Sequence, residues 1–184
     1  MPSRRTLLAG LGSAALAVAT TGCLDARYAP SAFCQLKVVD VEWTDDRGRR
    51  WRDEILWAMA DPEDRRLYAR VAEEFASVAD GPAAVSVSAD LESELRRTFL
   101  AVDYLLGFCG PAFRTGERDT GCRNTSADSR ADFERLQVGD DAAVSLVDHA
   151  FRVHGVDERD TDDWRTEFHT FSFADVHEDH GAPV

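Results

Sequence analysis

The sequence predicts an α+β fold: an antiparallel β-sheet with one or two packed helices in a single small domain. Three observations lead there. Runs of Val, Ile, Phe and Trp alternate with polar residues and stop at Gly- and Asp-rich turns. One stretch near residue 70 repeats apolar residues at helical spacing. Residues 35–176, between an apolar leader and a polar tail, are enough for one domain with a sizeable core.

Taken in order, residues 24–33 read as an extended tether marked by Pro30 and Ser31. Leu36 to Trp43 reads as a strand, with Val39, Val41 and Trp43 alternating against Val38, Asp40 and Glu42. Thr44 to Gly48 is a turn. Arg50 to Ala58 returns as a second strand with Trp51, Asp53, Ile55 and Trp57 on one face. The pattern next predicts a helix over 61–80. Asp61 is its N-cap, Pro62 sits at N1, and Leu67, Val71, Phe75 and Val78 form its stripe before Asp80-Gly81-Pro82 ends it. Val85 and Val87 suggest a short strand, and Asp90 to Arg97 a helical turn or two. Residues 98–109 fit a long helix or a buried strand, and the loss of charge at Thr98 favours the strand. Residues 110–131 lack periodicity and read as a long loop. Phe133–Val138, Ala142–Val147 and Ala150–Val156 read as antiparallel strands, separated by Gly139-Asp140-Asp141 and Asp148-His149. Trp164 to Val176 reads as a last strand and 177–184 as a frayed tail.

The leader carries Arg4 and Arg5 ahead of an uncharged run through Ala19. That run is shorter than the roughly 20 apolar residues a membrane-spanning helix needs. Ser3-Arg4-Arg5-Thr6-Leu7-Leu8 resembles the twin-arginine export motif, with an ordinary secretory signal as the alternative. Thr20-Thr21-Gly22-Cys23 resembles a lipobox, although Thr20 stands where the bacterial pattern prefers Leu. The resemblance implies removal of residues 1–22, lipid on Cys23 and a lipidated tether over 23–34. It also implies attachment to membrane lipid at the outer face of the cell membrane. Cleavage near Ala19 with a free Cys23 is the alternative.

Composition fits an exported protein of a saline environment. Net charge is −13, and removing the leader takes Arg4 and Arg5 with it, leaving −15. That balance repels nucleic acid and anionic headgroups. Lys37 is the only lysine, against 20 arginines, and Asp outnumbers Glu 22 to 12. Short carboxylates stay hydrated where molar salt screens repulsion within about 3 Å. Composition and leader together resemble haloarchaeal twin-arginine-exported lipoproteins, a resemblance confined to residues 1–23 and to residue usage. It brings no activity with it.

Beyond Cys23 there are Cys34, Cys109 and Cys122, in a compartment that permits disulfides. Turn residues flanking both ends favour Cys109–Cys122, which leaves Cys34 free, buried or intermolecular; a bridge from Cys34 to either of the others stays open. Asn124-Thr125-Ser126 is either a glycosylation acceptor or a plain loop asparagine. His177-Glu178-Asp179-His180 has metal-compatible spacing, but a solvated tail explains it better. No nucleophile elbow, zinc-protease helix, phosphate loop or Cys-x-x-Cys is present. No cofactor is expected. The expectation is a non-catalytic binding or envelope-interaction module with a possible envelope protein partner. A metal-dependent hydrolase using His154, His169 and nearby carboxylates is the alternative. Trp43, Trp51, Trp57 and Trp164 either line a contact surface or belong to the core, and the core is favoured.

Overall fold

The structure, a computed structural model, describes residues 29–81, 84–116 and 119–183, so Arg4, Arg5 and Cys23 lie outside the described residues. Ten strands follow one another along the chain: β1 (Ser31–Thr44), β2 (Arg50–Asp61), β3 (Arg66–Ala72), β4 (Ala79–Gly81), β5 (Ala84–Val85), β6 (Ala101–Cys109), β7 (Cys122–Ala127), β8 (Asp141–Val147), β9 (Ala150–Asp157) and β10 (Arg165–Phe171). Among the described residues three short helices interrupt them: α1 (Ala89–Thr98), α2 (Arg130–Glu134) and α3 (Phe173–Val176). Each is capped by a serine, Ser88, Ser129 or Ser172, whose side chain accepts a backbone N–H in the first turn.

The coarse α+β reading holds, and its simple sheet becomes a closed barrel. β1, β6, β7, β9 and β8 form a ring that β8 closes by pairing back onto Ser31–Phe33 of β1. β7 and β9 run parallel and the other ring neighbours antiparallel. Ring order and the helix between the third and fourth barrel strands reproduce the Greek-key connectivity of OB-type barrels, a shape that by itself names no function. β2 continues the sheet from the second half of β1, followed by β3 and a parallel β10, so a three-stranded flank extends from the barrel. Long β1 can serve both neighbours because bulges near Gln35 and opposite Val39/Asp40 let it bend. The interior is filled by side chains, among them Leu106, Phe108, Phe133 and Phe151, each fully buried.

Several sequence expectations are corrected. The helix over 61–80 is instead the end of β2, a tight turn, β3 and a 3-10 segment at Glu73–Val78. Leu67, Ala69 and Val71 are buried while Tyr68 and Arg70 are not, so period two governs. Asp61 does accept backbone N–H groups, from Glu63 and Asp64, but the cap it makes belongs to a turn. Phe133–Val138 is not a strand: Phe133 and Glu134 end α2, and Arg135–Val138 form the turn that follows. The loop over 110–131 contains a 3-10 turn and β7, whose half-exposed residues leave no apolar rhythm to read. The strand reading of 98–109 is correct from Ala101 onward. β1 begins at Ser31, inside the expected tether. The last strand stops at Phe171 and gives way to α3. Trp57 leaves the face of Trp51, Asp53 and Ile55 because the bulge opposite Val39/Asp40 reverses the phase.

The expected frayed tail is docked. His177 is buried against Trp43 and Phe173, with ring centroids 5.2 and 4.6 Å away, and His180 stacks on Trp51 at 4.5 Å. Trp43 and Trp51 donate to Asp53 and Asp45 in turn. Around Asp45, the cost of burial is outweighed by hydrogen bonds from the Arg49 backbone, Trp51, the Arg49 guanidinium and the Arg47 backbone, which hold its carboxyl well below the usual range. Three of the four tryptophans divide as favoured, with Trp43 and Trp164 buried and Trp51 packed on the core. Trp57, half-exposed like Trp51, is the one that faces outward.

Candidate functional site

The outer face of β2, β1, β6 and β7 brings together three of the sequence candidates, Cys109, Cys122 and Asn124. Register fixes it row by row, because directly opposed residues of paired strands share a face. At the end where β1 begins, Phe33 stands opposite Cys109, and Cys109 opposite Cys122. The next row is Tyr68, Met59, Leu36, Gly107 and Asn124, and beyond it lie Arg70, Trp57, Val38, Leu105 and Ser126. A charged row follows, with Glu54, Asp40 and Asp103. Arg52 holds this row together, donating to Asp40 at 3.0 Å and to Asp103 at 2.6 Å. Burial pushes the Asp40 carboxyl up, against the pull of Arg52. Apart from Arg70 at the margin, apolar side chains and charged ones thus occupy opposite ends of one sheet face.

The disulfide Cys109–Cys122 is present, cross-linking β6 to β7 at directly opposed positions. Gln35 Oε1 lies 2.8 Å from Cys109 Sγ. Cys34 is free and fully buried. It belongs to the inner face, whereas Cys109 is on the outer one, so neither partner of the bridge can reach it. Asn124 is exposed and sits on β7 rather than in a loop. Gly107 is what makes room for it: a β-carbon at 107 would collide with Asn124 Oδ1 and come within 2.7 Å of Leu36 Cβ.

Inside the barrel, Lys37 is the feature that the sequence reading passed over. Its Nζ donates to Val85 O at 2.9 Å and Leu136 O at 2.7 Å, and lies 4.2 Å from the centre of the Phe133 ring. Burial pulls its pKa down to about 8, opposed by the charges of Cys34, Glu134 and Asp140. Burial pushes the neighbouring Cys34 thiol up to about 12. An ammonium shared between two carbonyls pins the segments around 85 and 136 to β1. The signal was available, since residues 37, 39, 41 and 43 share one parity on a strand whose other members were read as apolar.

The histidines are placed apart from one another or against aromatic rings. His154 Nε2 is 2.8 Å from Ser145 Oγ, His169 is exposed on β10, and His149 is exposed in the β8–β9 turn. His177 Nε2 is 3.6 Å from Asp53 Oδ1. Among the described residues no three His, Cys, Asp or Glu side chains are grouped to hold a metal ion. Two open surface grooves of about 400 Å³ each are present among the described residues. One lies beside Phe33, Cys109 and Arg114, the other beside Glu134, Gln137 and Asp140. No helix among the described residues is long and apolar enough to cross a membrane. No protein-family model, curated protein or solved structure matches the chain.

Proposed function

We propose that the chain is a lipid-anchored, extracytoplasmic, non-catalytic module that holds an envelope protein partner. The observation that carries this reading is the open edge of β10. Seven residues, Arg165–Phe171, pair with β3 on one side and, among the described residues, with no strand on the other. An edge of that length is a template for an added strand unless it is blunted. Phe168 remains 40% exposed on it. On a chain that carries −15 once the leader is removed, the occupant best matched in charge is an extended segment of neutral or basic character.

The barrel interior is occupied by side chains such as Leu106, Phe108, Phe133 and Phe151, which directs contacts to the outer surface. The anchor supports the location. Eight residues from Cys23 to Ser31 span at most about 28 Å at roughly 3.5 Å each, keeping the start of β1 near the lipid surface. A photo-crosslinking residue at position 169 of the full-length tethered protein, irradiated in molar salt, tests the edge. One envelope protein should be linked through an extended segment, and Phe168→Lys with Thr170→Lys should abolish the product. Unchanged crosslinking in that double variant, or none in the wild type, overturns the edge-docking reading. Independently, Cys23→Ser should release the chain from the membrane fraction.

A further inference from the structure

We propose that Asn124 carries an N-linked glycan that lies back across the apolar rows of the outer face and shields them. Three observations converge on this. Asn124-Thr125-Ser126 satisfies the acceptor pattern, and both Asn124 and Ser126 are exposed on the same face of β7. β7 is open to an enzyme at this point, since β9 pairs only with Ser126 and Ala127. The third observation sets direction: the Asn124 side chain leans from β7 over Gly107 of β6, its Oδ1 crowding the place where a β-carbon at 107 would stand, with Leu36 of β1 bordering the same space.

A sugar leaving that amide starts over β6 and extends onto Leu36, Met59 and Trp57. Those three residues, with Tyr68 and Leu105, are half-buried and form a contiguous apolar patch on an otherwise carboxylate-rich molecule. Such patches mark contacts. The C–H faces of pyranose rings suit Trp and Tyr, and their hydroxyls restore hydration in salt. Transfer requires a lipid-phosphate-linked oligosaccharide as donor. The Nδ2–C1 bond forms as the bond from C1 to the phosphate oxygen breaks, the phosphate leaves with the electron pair, and the amide nitrogen gives up one proton.

The inference rests on the extracytoplasmic placement proposed above, and one digest separates the two. The full-length protein is purified from the membranes of its own cells and cut with trypsin, which releases Asn124–Arg130 as a single peptide. That peptide should carry a sugar mass, while the N-terminal peptide reports lipid on Cys23. A lipidated chain with bare Asn124 overturns the glycan and leaves the anchor standing. The shielding is read at Met59, the sole methionine beyond Met1. Peroxide should oxidise Met59 several-fold faster in Ser126→Ala and in Asn124→Gln than in the wild type, whereas Ser126→Thr, which keeps the acceptor, should match the wild type. Equal Met59 oxidation with and without the sugar overturns the shielding.

Discussion

At Lys37 a single charge decides how three parts of the barrel meet. Its ammonium titrates at about 8 in the folded chain against an ordinary 10.5, so between those values the unfolded chain holds more protons. Stability therefore rises with pH across that window. Cys34 has the opposite sign: its thiol ionises at about 12 when folded against an ordinary 9, the unfolded chain sheds its proton first, and stability falls above about pH 9. Urea denaturation between pH 7 and 12 should show stability rising from about pH 8, level between about 9 and 10.5 where the two slopes cancel, and falling above that. Lys37→Met should remove the rise and Cys34→Ala the fall. Lys37→Met also strands two buried carbonyls, Val85 O and Leu136 O, and should cost about 2 kcal/mol at neutral pH.

At the scale of elements, 61–80 shows how a helical pattern can arise by coincidence. Leu67 and Val71 lie four apart, which places them on one face of a helix and equally on one face of a strand. Ala69 separates the two readings, because a helix would turn it away from the stripe and the strand buries it at 2% exposure. Ala69→Asp should therefore cost about 3 kcal/mol or more, an unpaired carboxylate in the core, while Arg70→Asp on the outer face should stay within roughly 1 kcal/mol. Thermal melts of the two variants check this. What was legible elsewhere was the strand with strict alternation or an unbroken apolar run, as at β6, β8 and β9. The Asp148-His149 turn was legible too, and both its residues take positive φ, the conformation a two-residue hairpin demands. What was not legible depends on partners distant in sequence: β7 gains its place from Phe108 and Cys109, and the tail from Trp43 and Trp51. The outer-face site was half visible, with Cys109, Cys122 and Asn124 named from local pattern. Tyr68, Met59 and Leu105 joined them only through register.

For the whole molecule, charge sets the working conditions. Asp40 and Asp103 face each other across β1 and β6 with Arg52 between them, on a chain of net charge −13. Lowering salt from 1 M to 0.1 M lengthens the screening distance from about 3 to about 10 Å and turns such local repulsions into a collective one. The melting temperature should fall monotonically on that dilution, whichever monovalent salt is used. A salt-independent melt would contradict the reading of the acidic surface as an adaptation to brine.

Barrel closure also has a consequence in time. Ser31 pairs with Ala143, about 110 residues further along, so the first strand cannot acquire its last neighbour until nearly four-fifths of the chain exists. Contacts of such long sequence separation make folding slow, and they leave β1 with an incomplete edge throughout synthesis. The interval between the emergence of β1 and that of β8 is therefore when this protein is most exposed to mispairing.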